Sequence, residues 1–213
     1  MLRLHGYWRS SACYRVRLAL HLKGLAFEQV TYDLRTGAQN GSGYLALAPH
    51  GLVPALETED GVILESPAIL EWLEERFPAV PLLPPDPMAR AAVRAMMALV
   101  TCDIHPLNNL RVLNTLRRDL GADEPSVQAW AAHWIGQGFT ALEALVAQQG
   151  RGFAHGSQPS LADCCLLPQV YSAERFKVNL DRFPEIRAVT GRLRAMPAVM
   201  AAHPDRQPDA DRP

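Results

Sequence analysis

Five prolines fall within residues 77–87, Phe-Pro-Ala-Val-Pro-Leu-Leu-Pro-Pro-Asp-Pro. Neither a helix nor a central strand runs through such a stretch, because proline lacks the backbone donor and fixes its own φ. The chain is therefore cut in two, and the parts differ in hydrophobic period. Before the cut the period changes repeatedly. Leu2-Arg3-Leu4-His5 alternates as a half-buried strand does, and residues 11–23 carry helix formers up to Gly24. Phe27–Tyr32 reads as a second strand, residues 33–42 as a loop, and residues 43–48 as a short helix. Leu52–Thr58 and Val62–Leu64 flank a tight turn near Asp60-Gly61, which predicts a β-hairpin. Ser66 is expected to cap a further helix with Pro67 at its first position, and Ile69, Leu70, Trp72 and Leu73 form its buried face.

The order β-α-β, then β-β-α, describes a thioredoxin-like α/β layer. Beyond the prolines the pattern is helical throughout, with Val93, Met96, Met97 and Val100 at helical spacing and a break at Pro106. Trp130, Trp134, Phe139, Leu142 and Leu145 mark a long second stretch. Ser160-Leu161-Ala162-Asp163 has the spacing of a capping box, which gives Asp163 a structural task. The expectation is a thioredoxin-like domain over residues 1–80, a Pro-rich linker over 81–87, and an all-α helical domain over 88–213. The polar end from His203 to Pro213 is expected to fray. Pro54 sits inside an apparent strand. A cis Val53–Pro54 bond at a bend would account for it, and would turn the Val53 backbone toward a peptide-like ligand.

Composition excludes several classes of function. The formal net charge of −1 leaves no basic excess for nucleic acid or an anionic membrane. Apolar runs are short and interrupted by charges, so no membrane-spanning helix is expected. The N-terminus enters a strand at once without a signal pattern, which implies the cytoplasm. The four cysteines form no C-x-x-C pair and the seven histidines no zinc spacing, so neither a disulfide framework nor a metal site is expected.

The chemistry is concentrated at Gly6-Tyr7-Trp8-Arg9-Ser10-Ser11-Ala12-Cys13, a strand-to-helix turn. Ser10 and Ser11 stand where the helix begins, and its free N–H groups favour an anion there, a thiolate included. On the turn alone, a plain capping role also accounts for the serines.

Further stretches carry a resemblance. They are Arg9–Arg17, Leu52-Val53-Pro54-Ala55-Leu56, Glu65-Ser66-Pro67-Ala68-Ile69, Cys102–Asn109, Ser160–Asp163 and Ala173-Glu174-Arg175-Phe176-Lys177-Val178. Together they make the chain resemble the zeta class of glutathione S-transferases, and within it the bacterial maleylacetoacetate isomerases of aromatic catabolism. The resemblance implies glutathione as cofactor, a small dicarboxylate substrate and a homodimer. It implies that Ser10, with Ser11 beside it, faces the glutathione sulfur. Val53 would pair with the cysteinyl part, and Glu65 and Ser66 would hold the γ-glutamyl end. Gln39, His105, Asn109, Leu110 and Arg111 would add contacts to glutathione. Arg9 and Arg175 would form the cationic wall of the substrate pocket. Two departures stand out. Many relatives read Ser-Ser-Cys-Ser where this chain has Ser10-Ser11-Ala12-Cys13, and many have Gln where Glu65 stands. A helix turns about 100° per residue, so Cys13 does not reproduce a thiol one position earlier. The same site would serve a maleylpyruvate isomerase, or a broader transferase or dehalogenase acting on α-halo acids. A non-catalytic interaction module would not need the Ser10, Val53 and Glu65–Ser66 set. Thiol–disulfide exchange through Cys13 is disfavoured, because Ser10 occupies the attacking position.

Overall fold

The computed structural model describes residues 1–211. Its elements run β1 (Leu2–Gly6), α1 (Ser11–Leu22), β2 (Phe27–Thr31), α2 (Ser42–Leu47), β3 (Ala55–Thr58), β4 (Gly61–Leu64) and α3 (Ser66–Arg76). They continue with α4 (Pro87–Ala98), α5 (Leu110–Arg118), α6 (Glu124–Gln149), α7 (Leu161–Arg175), α8 (Pro184–Arg194) and α9 (Pro197–Ala202). Two compact units result. One comprises Met1–Leu82 together with the segment from Arg194, and the other spans Leu83–Leu193.

In the first unit the strands are ordered β2-β1-β3-β4. β1 and β2 are parallel, and β3 runs antiparallel to both β1 and β4. A crossover helix such as α1 is the usual way to join parallel neighbours such as β1 and β2. α1 packs against α3 and α9. Its Val16, Leu18, Ala19 and Leu20 are buried, as are Ile69, Leu70 and Leu73 of α3. A buried ion pair fastens the far ends of these two helices. Lys23 Nζ donates to Glu74 Oε2 at 2.7 Å and to the carbonyls of Phe77 and Val80, while Glu74 accepts from the Leu82 N–H.

The strand and helix sequence follows the expected order, with three corrections. β3 starts at Ala55 rather than Leu52, because the Val53–Pro54 bond is cis and the chain bends before pairing. Ser66 is the first helical residue rather than the cap. Glu65 holds the cap position without a side-chain cap bond, and the Ser66 hydroxyl is engaged by Arg15 instead. The C-terminal end does not fray over 203–211. It folds onto the first unit, where Asp209 accepts from the Trp8 N–H, Gln207 from Gln29, and Asp211 from Arg35. Arg212 and Pro213 lie outside the described residues.

The second unit is helical. Asp86 caps α4, its side chain accepting from the Ala89 N–H at 2.8 Å. α4 runs on into a π-helical segment, Leu99–Ile104, and then a 3₁₀ turn, His105–Asn108. The break expected at Pro106 thus begins earlier. On α6, Val127, Ala131, Ile135, Phe139, Leu142 and Val146 are buried, with Trp130 and Trp134 half-buried beside them. Gly138 lets α6 approach that π segment, since a Cβ there would collide with the Ile104 side chain. α7 begins with the expected capping box. Asp163 accepts from the N–H and hydroxyl of Ser160 and from the Ala154 N–H. Its burial pushes the carboxyl up to about 6 against those three hydrogen bonds.

Candidate active site

Sheet register assembles the site in the first unit. His5 lies opposite Ala55, and Ala55 opposite Leu64. β1 leaves the sheet toward Tyr7–Ser10 at that row, β3 enters it from Val53–Pro54, and β4 leaves it toward Glu65–Ser66. Gly6 pairs with Thr31 at the same end of β2, so the loop bearing Gln39 also departs there. Four stretches far apart in sequence therefore issue from one end of one sheet.

At the first of them, Ser10 is half-buried and caps α1. Its Oγ accepts from the Cys13 N–H at 3.3 Å, and its own N–H donates to the Tyr7 carbonyl at 3.1 Å. Ser11 opens α1 and is buried. No acidic side chain occupies the first turn of α1, so the helix end keeps its preference for an anion. The Arg9 guanidinium lies 5.5 Å from the centre of the Trp8 ring. Cys13 is wholly buried beneath Gly6, where an added Cβ would meet its sulfur at 3.0 Å. Burial pushes its thiol up, so it is a packing residue and not a nucleophile.

The bend at Val53 is held from behind. The buried Tyr44 of α2 donates its hydroxyl to the Leu52 carbonyl at 2.6 Å, and its ring lies 4.4 Å from that of Tyr32. Tyr32 in turn shares a hydrogen bond with His5, and His5 with Glu57. Glu65 has φ 66° and ψ 122°, a left-handed conformation rare for a side-chain-bearing residue. Its carboxylate is 63% exposed and lies 3.6 Å from His50 Nε2. Ser66 is buried, and its Oγ accepts from Arg15 Nη1 at 3.1 Å. A guanidinium has no lone pair to offer, so the Ser66 hydroxyl keeps its own proton for another acceptor. Gln39 sits in a 3₁₀ turn, and its buried Oε1 accepts no hydrogen bond among the described residues.

The remaining candidates belong to the second unit. His105 opens the 3₁₀ turn after the π segment, and its Nε2 lies 3.5 Å from Asn109 Nδ2. Asn109 caps α5, its Oδ1 accepting from the Arg111 N–H at 3.1 Å. Leu110 and Arg111 are exposed on the first turn of α5. Arg175 is the exposed last residue of α7, with its guanidinium 5.8 Å from the Phe176 ring centre.

Residues 9–76 match the N-terminal domain of glutathione S-transferase, and residues 128–195 match its C-terminal domain. The chain is 50% identical over 211 residues to the maleylacetoacetate isomerase of Pseudomonas aeruginosa, covering 98% of each. It belongs to the glutathione S-transferase family. The holo structure of a maleylpyruvate isomerase, a bacterial glutathione S-transferase of the zeta class, superposes with a TM-score of 0.96. That protein is 45% identical, with 98% of this chain and 100% of the other covered. The maleylacetoacetate isomerase of Anaeromyxobacter dehalogenans, solved with glutathione bound, gives a TM-score of 0.90 at 45% identity over 99% and 98% of the two chains. A second structure of it holds dicarboxyethyl glutathione and citrate, at 0.89 and 44% over 100% and 95%. This glutathione S-transferase is thus of the zeta class, and its α/β plus all-helical architecture is that of the family.

The polar groups of its first unit fit a zwitterionic tripeptide thiol. Glu65 offers an exposed carboxylate, Ser66 an unspent hydroxyl proton, Val53 a backbone at a bend, Gln39 a buried acceptor, and Ser10 a hydroxyl at a helix mouth. The sequence had named these five as candidates but missed what stands behind them. Arg15 and Arg17 are both buried, and Arg15 reaches Ser66. Tyr44 and Asp209 gave no signal, since each meets a stretch that bears a candidate residue through a contact that periodicity does not encode.

Proposed function

We propose that the protein catalyses the glutathione-dependent cis–trans isomerisation of maleylacetoacetate to fumarylacetoacetate. The observation that carries this reading is the sheet register, which brings the Ser10 turn, the Val53 bend and the Glu65–Ser66 pair to one end of the first unit. Relatives solved with glutathione and with a dicarboxyethyl adduct of it support the cofactor and the diacid class.

When bound, glutathione supplies a thiolate that adds to the double bond and leaves after rotation about the resulting single bond. The protein's task is to keep that sulfur ionised at neutral pH, since a free thiol titrates near ~8.5. The Ser10 hydroxyl would donate a hydrogen bond to the thiolate, with the α1 N–H groups and Ser11 beside it, and a charge-assisted bond of this kind is the stronger sort. Val53 pairs its backbone with the cysteinyl residue. Glu65 takes the γ-glutamyl ammonium and Ser66 the carboxylate. Gln39, His105, Asn109, Leu110 and Arg111 complete the cofactor contacts. Arg9 and Arg175 bind the substrate's carboxylates, and their charge steadies the enolate that develops during addition.

Maleylpyruvate, a shorter diacid, is the second reading, favoured by the 0.96 superposition on a maleylpyruvate isomerase. Absorbance assays of both diacids, with and without glutathione, decide between them. Turnover is expected only with glutathione, faster on maleylacetoacetate, and nearly abolished in Ser10→Ala. No glutathione-dependent turnover of either diacid overturns the isomerase reading. A homodimer and a cytoplasmic location belong to the same proposal. Among the described residues no helix is long and apolar enough to cross a membrane, and sedimentation of the purified protein measures the dimer.

A further inference from the structure

The segment after α9 is tied to the turn that carries Ser10. The Trp8 N–H donates to Asp209 Oδ2 at 2.9 Å, across 201 residues of sequence. The Trp8 carbonyl accepts from Arg17 Nη2 at 2.8 Å, and Arg17 Nε donates to the Ala202 carbonyl at 3.1 Å. The Trp8 N–H thus leads to the segment after α9, and its carbonyl leads through Arg17 to the last residue of α9. That segment is itself fixed. Gln207 Nε2 donates to the carbonyls of Ala201 and His203, and Gln207 Oε1 accepts from Gln29 on β2. Arg35 grips Asp211 on one side and Asp33 on the other. Trp8 stands two residues before Ser10, inside the turn closed by the Ser10-to-Tyr7 hydrogen bond.

We infer that residues 203–211 act as a strap that sets the Ser10 turn, with Asp209 as a positioning residue working through the Trp8 N–H. The inference rests on the reading above, in which Ser10 faces the glutathione thiol. A carboxylate is a stronger acceptor for a lone backbone N–H than a neutral group. Held so, the turn fixes where the Ser10 hydroxyl points before any ligand arrives. Displacing a reacting group's partner by 1 Å can cost about 100-fold in rate. The strap controls the site through backbone geometry, not by touching the reactants.

The test titrates the ultraviolet absorbance of bound glutathione thiolate against pH and measures kcat and KM for glutathione. It compares wild type, Asp209→Ala, Asp209→Asn, a chain ending at Gln207, and Ser10→Ala. For Asp209→Ala we expect kcat/KM to fall about tenfold and the thiol to titrate about half a unit higher. The chain ending at Gln207 is expected to behave alike, which covers the case in which one of the two variants does not fold. Asp209→Asn keeps an acceptor oxygen for Trp8 and is expected to recover most of the activity. A purely structural role would lower the melting temperature and leave the thiol titration unmoved; that result overturns the inference. If Ser10→Ala shifts the thiol titration and the Asp209 and shortened variants do not, the strap alone is refuted. If Ser10→Ala shifts nothing, the reading beneath it fails as well.

Discussion

Replacing Glu65 by glycine is expected to make the protein more stable and a poorer binder of glutathione. Glu65 has φ 66° and ψ 122°, and a non-glycine residue held in such a region costs on the order of 1–3 kcal/mol. Glycine removes that strain, but frees the unfolded chain by about 0.5–1 kcal/mol. The ion pair with His50 is exposed and long, at 3.6 Å, so its loss costs between about 0 and 1 kcal/mol. Glycine also serves as a helix N-cap, whereas Glu65 makes no side-chain cap bond. The balance is a gain of about 1 kcal/mol, or ~2–4 °C in melting temperature for a chain of this length. Binding moves the other way. A hydrogen bond from a charged group contributes about 1.5–3 kcal/mol, so removing the carboxylate weakens glutathione by roughly 10- to 150-fold. Melting must be followed without glutathione, because ligand adds its own stabilisation; calorimetric titration then gives the affinity. Glu65→Gln keeps the strained backbone and serves as control, with unchanged melting and a weaker complex. A lower melting temperature for Glu65→Gly would refute the strain argument. An unchanged glutathione affinity would remove Glu65 from the site.

Two further predictions concern contacts inside each unit. Lys23→Met leaves the buried Glu74 carboxylate without its ammonium partner and strips donors from two carbonyls, so it should destabilise by about 3–5 kcal/mol, read as a lower denaturant midpoint at unchanged slope; a loss below about 1 kcal/mol would contradict this. The Asp163 carboxyl titrates at about 6 in the folded chain, above its ordinary 3.8. The folded state therefore binds that proton more tightly, and Asp163's stabilisation is largest below its unfolded pKa and declines as pH rises through about 6. Against the non-titrating Asp163→Asn, wild type should be further ahead at pH ~4 than at pH ~8, by on the order of 2 kcal/mol; a gap that widens toward high pH would reverse the assignment.

Much of the fold and of the candidate site was legible before folding because it is local. Ser10 at the mouth of α1, the cis Val53–Pro54 bend and the Asp163 capping box each depend on neighbours within a few residues, and such chemistry is written in short motifs. The proline-rich stretch and the change of hydrophobic period likewise announced an α/β part followed by helices. The tail was misread for the opposite reason. Residues 203–211 are polar and proline-rich, as a fraying end is, and only contacts with Trp8, Gln29 and Arg35 make them part of the first unit.

By itself, the sequence determined most of the turns, caps and apolar faces this chain makes, the cap of α3 excepted, since those follow from propensity, spacing and the stereochemistry of proline and serine. Tertiary structure alone decided that Arg15 lies behind Ser66, that Tyr44 holds the carbonyl before Val53, and that Asp209 meets Trp8. These partners are separated by between 8 and 201 residues. A hydrogen bond over such a span leaves no period in the chain, because its geometry exists only once the sheet register and the helix packing have brought both ends to the same place.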